Sequence, residues 1–302
     1  MKIAIMGDTH FDFWFSSSGT ISKQKFDSKF KALFESAPAD VLVIAGDLGH
    51  YNAQNIACLK HLRRYYERIL VTFGNHDYYL VTKSIVSKYQ YKSGRLGGSR
   101  ERVAEMKAMI ENEDGIDYVD GNVIEIDGIS FGGATGWYDG SLLDKNNHDE
   151  INSKWQLIMN DAKTIYPTGD KGAKFDDLFH EQKYRLDAVY QQCDVMISHV
   201  SPLSEWKQFL EMYTFDSDQA SRDPNYSMNH ASLQDYQAFY CFDGKEYLEN
   251  GSMTHWIFGH THQNFSRTYK RENGKEIEIV CNSIGAPKKN KESDFSIKVI
   301  EV

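Results

Sequence analysis

Aspartate, histidine and asparagine recur in this chain immediately after short apolar runs. Asp8 and His10 follow residues 2–6, Asp47 follows 41–45, and Asn75 and His76 follow 68–73. His199 follows 194–198, and His260 and His262 follow 254–258. One such residue at one strand end is commonly a cap or a turn, and Gly46-Asp47 taken alone reads that way. Five in one chain carry more weight, because the strand ends of a parallel sheet converge on one edge. Imidazole, carboxylate and amide oxygen suit borderline divalent ions such as Zn, Mn, Fe or Ni. Two such ions about 3.5–4 Å apart can clamp a phosphoryl group and acidify a bound water to a hydroxide nucleophile. A carboxylate can serve both ions through its two charged oxygens, the place expected for Asp47. The i, i+2 spacing of Asp8 with His10, and of His260 with His262, would put each pair on one side of extended backbone.

The elements that must position these residues are legible as alternating patterns. Residues 2–6, 40–47 and 68–74 are apolar runs without polar alternation, as expected of strands buried on both faces. Residues 22–36 place Phe26, Phe30, Leu33 and Phe34 at helical spacing behind Ser22 as a cap. Residues 52–67 carry Ile56, Leu59 and Leu62 on one helical face. Strand, helix, strand, helix, strand predicts a parallel sheet with helical crossovers. Further on, 79–89 and 101–112 read as helices, 122–126 and 129–133 as strands around the turn Asp127-Gly128, and 140–192 as mostly helical. Residues 194–198 and 254–258 read as buried strands, 265–269 and 276–281 as a hairpin around Asn273-Gly274, and 295–302 as a closing strand. Residues 202–251 show no periodicity. The expectation is a single domain over 1–302, with insertions near 79–115, 140–192 and 203–250.

Composition narrows the function classes. The chain has 302 residues, 41% hydrophobic and 25% charged, within the ordinary globular range. No apolar run approaches the ~20 residues that span a bilayer, and the first residues enter a strand without the long apolar core of a signal peptide. The expectation is a cytoplasmic protein with no membrane association. Cys58, Cys193, Cys241 and Cys281 are far apart with no paired metal spacing, so thiols are expected. A formal charge of -9 disfavours a broad grip on duplex nucleic acid. A small phosphorylated substrate stays open, because bound metal ions reverse the local sign.

The series Gly7-Asp8-Thr9-His10, Gly46-Asp47, Gly74-Asn75-His76-Asp77, His199 and Gly259-His260-Thr261-His262 resembles the calcineurin-like metallophosphoesterases, in that family's motif order. The resemblance implies an α/β fold of two packed mixed β-sheets flanked by helices, with metals at the strand ends. It implies that Asp8, His10 and His262 hold one metal and Asn75, His199 and His260 the other, with Asp47 bridging. By the same resemblance His76 acts beside the phosphate as general acid or charged donor to the leaving group. Asp77 would then be its orienting partner.

Many phosphoprotein phosphatases of the superfamily carry an Arg shortly after the bridging Asp, whereas here Leu48-Gly49-His50-Tyr51-Asn52 follows. That disfavours a phosphoprotein substrate. His50 could contact substrate, but the expectation is a solvent-exposed loop histidine. Ala134-Thr135-Gly136-Trp137-Tyr138-Asp139 resembles a segment of some small bacterial and phage members, and Cys281-Asn282-Ser283-Ile284-Gly285 fits the turn these enzymes place after the last metal-binding strands, neither assigning a substrate. His148, His180, His230 and His255 are expected at the surface or in packing, and Lys288-Lys289-Asn290-Lys291 in a solvated loop. The reading is a dinuclear metal-dependent phosphoesterase for a small phosphodiester or nucleotide, using Mn, Fe, Zn or Ni. The alternatives are a nuclease, a phosphoprotein phosphatase and a non-catalytic metal-binding scaffold.

Overall fold

The computed structural model describes residues 1–16, 19–90, 97–143, 147–167, 173–203, 235, 237–285, 287 and 295–302. The apolar runs form strands that sort their side chains by alternation. In β1 (Lys2–Met6) and β2 (Val41–Ala45), the residues Ile3, Ile5, Val41, Val43 and Ala45 face one core. Their neighbours Ala4, Met6, Leu42 and Ile44 face another. Both faces are covered, which explains why these strands show no polar alternation.

Alongside lie β3 (Arg68–Thr72) and the short β4 (Ile116–Tyr118), all four strands running parallel. A second sheet contains β5 (Val123–Ile126), β6 (Ile129–Gly133), β7 (Val195–Ile197), β8 (His255–Phe258), β9 (Asn264–Lys270) and β10 (Glu276–Asn282). The final strand, β11 (Lys298–Glu301), returns to pair antiparallel with β1. The orders are β11-β1-β2-β3-β4 and β5-β6-β7-β8-β10-β9, with antiparallel strands at three of the four edges. The two sheets pack through Ile3, Ile5, Val43 and Leu70 from one side and Phe131, Val195, Ile197, Ile257 and Val280 from the other.

Helices cover both outer faces. In α2 (Lys23–Glu35), after the four-residue α1 (Phe11–Trp14), Ser22 accepts from the Lys25 amide at 3.3 Å, and Phe26, Phe30 and Phe34 are buried at i, i+4 spacing. With α3 (Asn52–Leu62) these rings cover the outer face of the first sheet. After α4 (Lys83–Gln90) comes α5 (Ser99–Glu111), the crossover helix that parallel β3 and β4 require. The second sheet is covered by α6 (His148–Ile158), the one-turn α7 (Asp161–Thr164), α8 (Phe179–Val189) and α9 (Lys245–Asn250). The architecture is α/β, two mixed sheets flanked by helices.

Two local expectations shift, and one strand is additional to those expected. The helix expected over 52–67 stops at Leu62, because Tyr66 turns inward to donate to the Ala37 carbonyl before β3 begins. The helix expected from residue 79 starts at Lys83, since Tyr78 and Tyr79 are drawn into the core. Strand β4 has only three residues, too few to leave a periodic signal. Most of 203–250, His230 and the run Lys288-Lys289-Asn290-Lys291 lie outside the described residues. All four cysteines are buried thiols, and among the described residues no helix is long and apolar enough to cross a membrane.

Candidate metal centre

The C-terminal ends of β1, β2, β3, β7 and β8 meet at one edge, where the two sheets are stitched together. Gly7 bridges to Ser283, the Asp8 amide donates to the Gly46 carbonyl at 3.1 Å, and the Gly259 amide donates to the His199 carbonyl at 3.0 Å. Two glycines permit the close approach. A Cβ on Gly46 (φ 82°) would run into the His199 ring, and one on Gly74 would run into the Asp47 carboxylate.

The backbone is strained where the chemistry sits. Among the described residues six non-glycine positions have positive φ, and five of them are Asp8 (51°), His10 (42°), Asp47 (56°), His260 (64°) and His262 (52°). The sixth, Asp127, lies in a hairpin turn that demands it. Left-handed backbone costs an L-residue roughly 1–2 kcal/mol. The i, i+2 pairs therefore converge through left-handed turns and not through extended alternation, a correction to the sequence-based expectation. Such strain persists only where surrounding structure imposes it, and it clusters at functional sites.

Lone pairs face one another across this edge. His199 Nδ1 lies 2.8 Å from the Ala45 carbonyl, so that nitrogen carries the hydrogen and Nε2 is bare in the neutral ring. Nε2 points at two further acceptors, Asn75 Oδ1 at 3.1 Å and Asp47 Oδ1 at 3.4 Å. His260 donates through Nε2 to the Phe239 carbonyl at 3.0 Å, leaving Nδ1 as its free atom. A backbone carbonyl holding the far nitrogen of an imidazole is the usual second contact of a metal-binding histidine. On the other side, His10 Nε2 lies 3.6 Å from Asp47 Oδ2, its Nδ1 being buried with no partner. His262, half exposed, places Nε2 3.7 Å from Asp8 Oδ1. The remaining contacts of Asp8 are the Ser283 hydroxyl and the His260 amide. Among the described residues, three groups have potential ligand atoms close enough to share an ion: Asp8, His10 and His262; His10, Asp47 and His76; and Asp8, Asp47 and His199. An orphaned ring nitrogen and acceptors aimed at acceptors are what a cation would satisfy, so the donor set fits a metal.

The electrostatics agree. Burial pushes His10, His199 and His260 down to about 4, so each ring is neutral at pH 7, the form in which an imidazole can bind a metal. Burial, together with the Asp8 and Asp77 charges, raises Asp47 well above the usual carboxylate range. Asp8 is held below that range, because the His262, His199 and His10 rings outweigh its burial. Asp8, Asp47, Asp77 and Asp161 are all buried, and Arg102, also buried, faces Asp77, Asp12 and Asp47. A histidine whose folded pKa is lowered binds fewer protons than in the unfolded chain, so stability falls as pH drops from about 6.5 to about 4. Chelator-treated protein should accordingly lose melting temperature across that window, the histidine loss being partly offset by Asp47, whose raised pKa gains stability as pH falls. A flat profile between pH 7 and 4.5 would contradict this account of the three rings.

Two expectations are revised at the neighbouring turn, a 3₁₀ helix over Asn75–Tyr78. Asp77 does not reach His76, since consecutive residues in a tight turn project apart. Its carboxylate accepts instead from the Gly74, Leu48 and Gly49 amides at 2.9, 3.3 and 3.4 Å, tying the β2 and β3 loops together. His50 is not a free loop residue. Its Nδ1 lies 2.8 Å from Asp12 Oδ2 and its Nε2 3.1 Å from His76 Nδ1, so His50 takes the place expected of Asp77. Arg102 braces the same loops by donating to the His76, Tyr79 and Gly49 carbonyls. Asp12, Arg102, Asp161 and Ser283 carry no motif, and only Ser283 lies in a segment that sequence pattern singles out.

The calcineurin-like phosphoesterase family profile matches residues 1–264. This chain belongs to that family. The phosphoesterase is thus a metal-dependent phosphoric ester hydrolase. Its fold is similar to that of a phosphopantetheinyl hydrolase from Mycobacterium tuberculosis, at 14% identity over 99% of this chain and 95% of that one, with a TM-score of 0.63. A Thermus thermophilus protein aligns at 11% identity over 93% of this chain and 88% of that one, with a TM-score of 0.46. At such identities the first likeness concerns the fold alone. No curated protein matches the phosphoesterase by sequence.

Proposed function

We propose that the phosphoesterase holds two metal ions and hydrolyses a small phosphodiester or nucleotide. Asp8, His10 and His262 would hold one ion and Asn75, His199 and His260 the other, with Asp47 between them. The observation that carries this reading is that the bare Nε2 of His199 is turned toward two oxygens, Asn75 Oδ1 at 3.1 Å and Asp47 Oδ1 at 3.4 Å. When bound, the ions supply Lewis-acid polarisation of the phosphoryl oxygens and acidify a water. His76, at the rim of the same cluster, would hand a proton or a hydrogen bond to the leaving oxygen.

Three observations favour a small substrate. The net charge of -9 works against a polyanion, and no Arg follows Asp47 to grip a phosphoprotein. The structural neighbour from Mycobacterium tuberculosis is named for a phosphopantetheinyl substrate, itself a small phosphorylated group. The test is chelation followed by readdition of Mn, Ni, Zn and Fe in turn, assayed on bis-aryl phosphate, mono-aryl phosphate, cyclic nucleotides and single-stranded DNA. Activity should vanish with EDTA and return with metal, fastest on the small diesters. Full activity on aryl phosphates after complete metal removal would sink the proposal.

A further inference from the structure

Asn75 differs from the other candidate ligands in that its side chain has one useful end and one harmful one. An amide oxygen can face a cation, whereas an amide NH₂ cannot. Something must therefore hold the amide the right way round. In the structure the Asn75 Nδ2 donates to Asp161 Oδ1 at 2.8 Å and to the Tyr79 hydroxyl at 3.1 Å, so both amide hydrogens are engaged. Tyr79 donates in turn to the same Oδ1, closing a three-membered ring of bonds. The other carboxylate oxygen, Asp161 Oδ2, accepts from the Tyr138 hydroxyl at 2.6 Å, and Tyr138 accepts from the Trp155 indole at 2.6 Å. Asp161, Tyr138 and Trp155 are each 0% exposed, so water cannot substitute for any of these contacts.

We infer that Asp161 is a positioning residue that fixes the Asn75 amide with its oxygen toward the His199 and His260 side of the metal centre. The inference rests on the reading of Asn75 as a ligand. The carboxylate comes from α7, outside every motif, so the segment carrying α6–α8 acts on occupancy of one ion from behind its ligand. Donor arithmetic shows why a carboxylate is needed. In Asp161→Asn, Tyr138 still presents a hydroxyl hydrogen and would claim the new amide oxygen. The new NH₂ would then face Asn75 Nδ2, donor against donor. The relief is a flip of Asn75, which turns its NH₂ toward the cation.

The same logic predicts a rescue. Asn75→Asp alone sets two buried carboxylates against each other and should bind the second ion poorly. Combined with Asp161→Asn, the pair is complementary again. The amide introduced at position 161 would donate to one oxygen of the carboxylate introduced at position 75, leaving the other oxygen for the ion. The experiment titrates Mn into chelated wild type, the two single variants and the double variant, counting ions per chain by elemental analysis after equilibrium dialysis. Melting curves of the chelated forms check the fold. Wild type should take two ions. Asp161→Asn should keep the first at unchanged affinity and bind the second roughly 10–100-fold more weakly, the usual cost of losing an outer partner. The double variant should recover the second ion. Second-site affinity in Asp161→Asn equal to wild type, or a double variant no better than Asn75→Asp, overturns the inference while leaving the two-ion reading standing. A wild type that saturates at one ion overturns both.

Discussion

Asp47→Asn is expected to lower turnover at least about 10³-fold, the several kcal/mol a catalytic metal contributes, while leaving the chelated protein no less stable than chelated wild type. The two halves of that expectation come from the same geometry. The carboxylate sends Oδ1 toward His199 at 3.4 Å and Oδ2 toward His10 at 3.6 Å, one oxygen to each side of the centre. An amide keeps the volume and one oxygen, which can still accept from the His76 amide now 2.9 Å away. It puts an NH₂ where a second ion, on the proposed reading, would need a lone pair. Without metal, however, the charge on Asp47 is a liability, because burial and the facing Asp8 and Asp77 charges oppose its ionisation. Removing it relieves repulsion in the empty cluster. Melting temperatures with and without chelator, read beside initial rates, test both halves. Wild-type turnover in Asp47→Asn would end the bridging role. A chelated variant melting well below chelated wild type would show that the carboxylate serves the fold instead.

How far this centre can be read from sequence depends on where each constraint originates. The strand ends are legible because burial on both faces leaves an unbroken apolar run, and Val41 to Ala45 is all buried. The residues just past those ends are legible because parallel strands deliver them to one edge, and the five ends do converge. Backbone conformation is not legible: Asp8 and His10 sit at positive φ, and nothing in the spacing of an Asp and a His announces that. Strand β4 escapes a sequence reading because Ile116–Tyr118 relies on its β3 neighbour and not on a pattern of its own. The partners behind the site are harder still. Asp161 reaches Asn75 across 86 residues and Asp12 reaches the His50 backbone and ring across 38, separations at which a single sequence carries no pairing signal. Local chemistry is therefore readable at the strand-end residues themselves and unreadable one contact further out.

His76→Ala separates turnover from metal binding. Turnover should fall about 10²–10⁴-fold, the range for a lost general acid or base, with the ion count per chain unchanged. The backbone bond from residue 76 to Asp47 does not depend on the ring, so the substitution leaves the neighbouring loop anchored. The ring itself stacks on Tyr79 at 4.3 Å and meets His10 edge-on at 4.6 Å. Its protonation follows from the chain behind it. His50 donates through Nδ1 to Asp12, so its Nε2 accepts from His76 Nδ1, and the Nε2 of a neutral His76 is a lone pair. Burial and the surrounding His10, His50 and His262 rings hold His76 well below the usual imidazole range in the absence of substrate. Acid catalysis therefore requires a proton taken up from solvent as the substrate binds, the negative charge of its phosphate favouring the imidazolium, while Asp12 stabilises the positive charge through His50. His50→Ala should then lower turnover less than His76→Ala does, with its acidic limb displaced. The competing possibility arises from the same geometry, because His76 lies close enough to His10 and Asp47 to share an ion with them. Loss of an ion in His76→Ala would make the residue a ligand and dismiss the acid role, whereas two retained ions with turnover gone assign the ring to the leaving group.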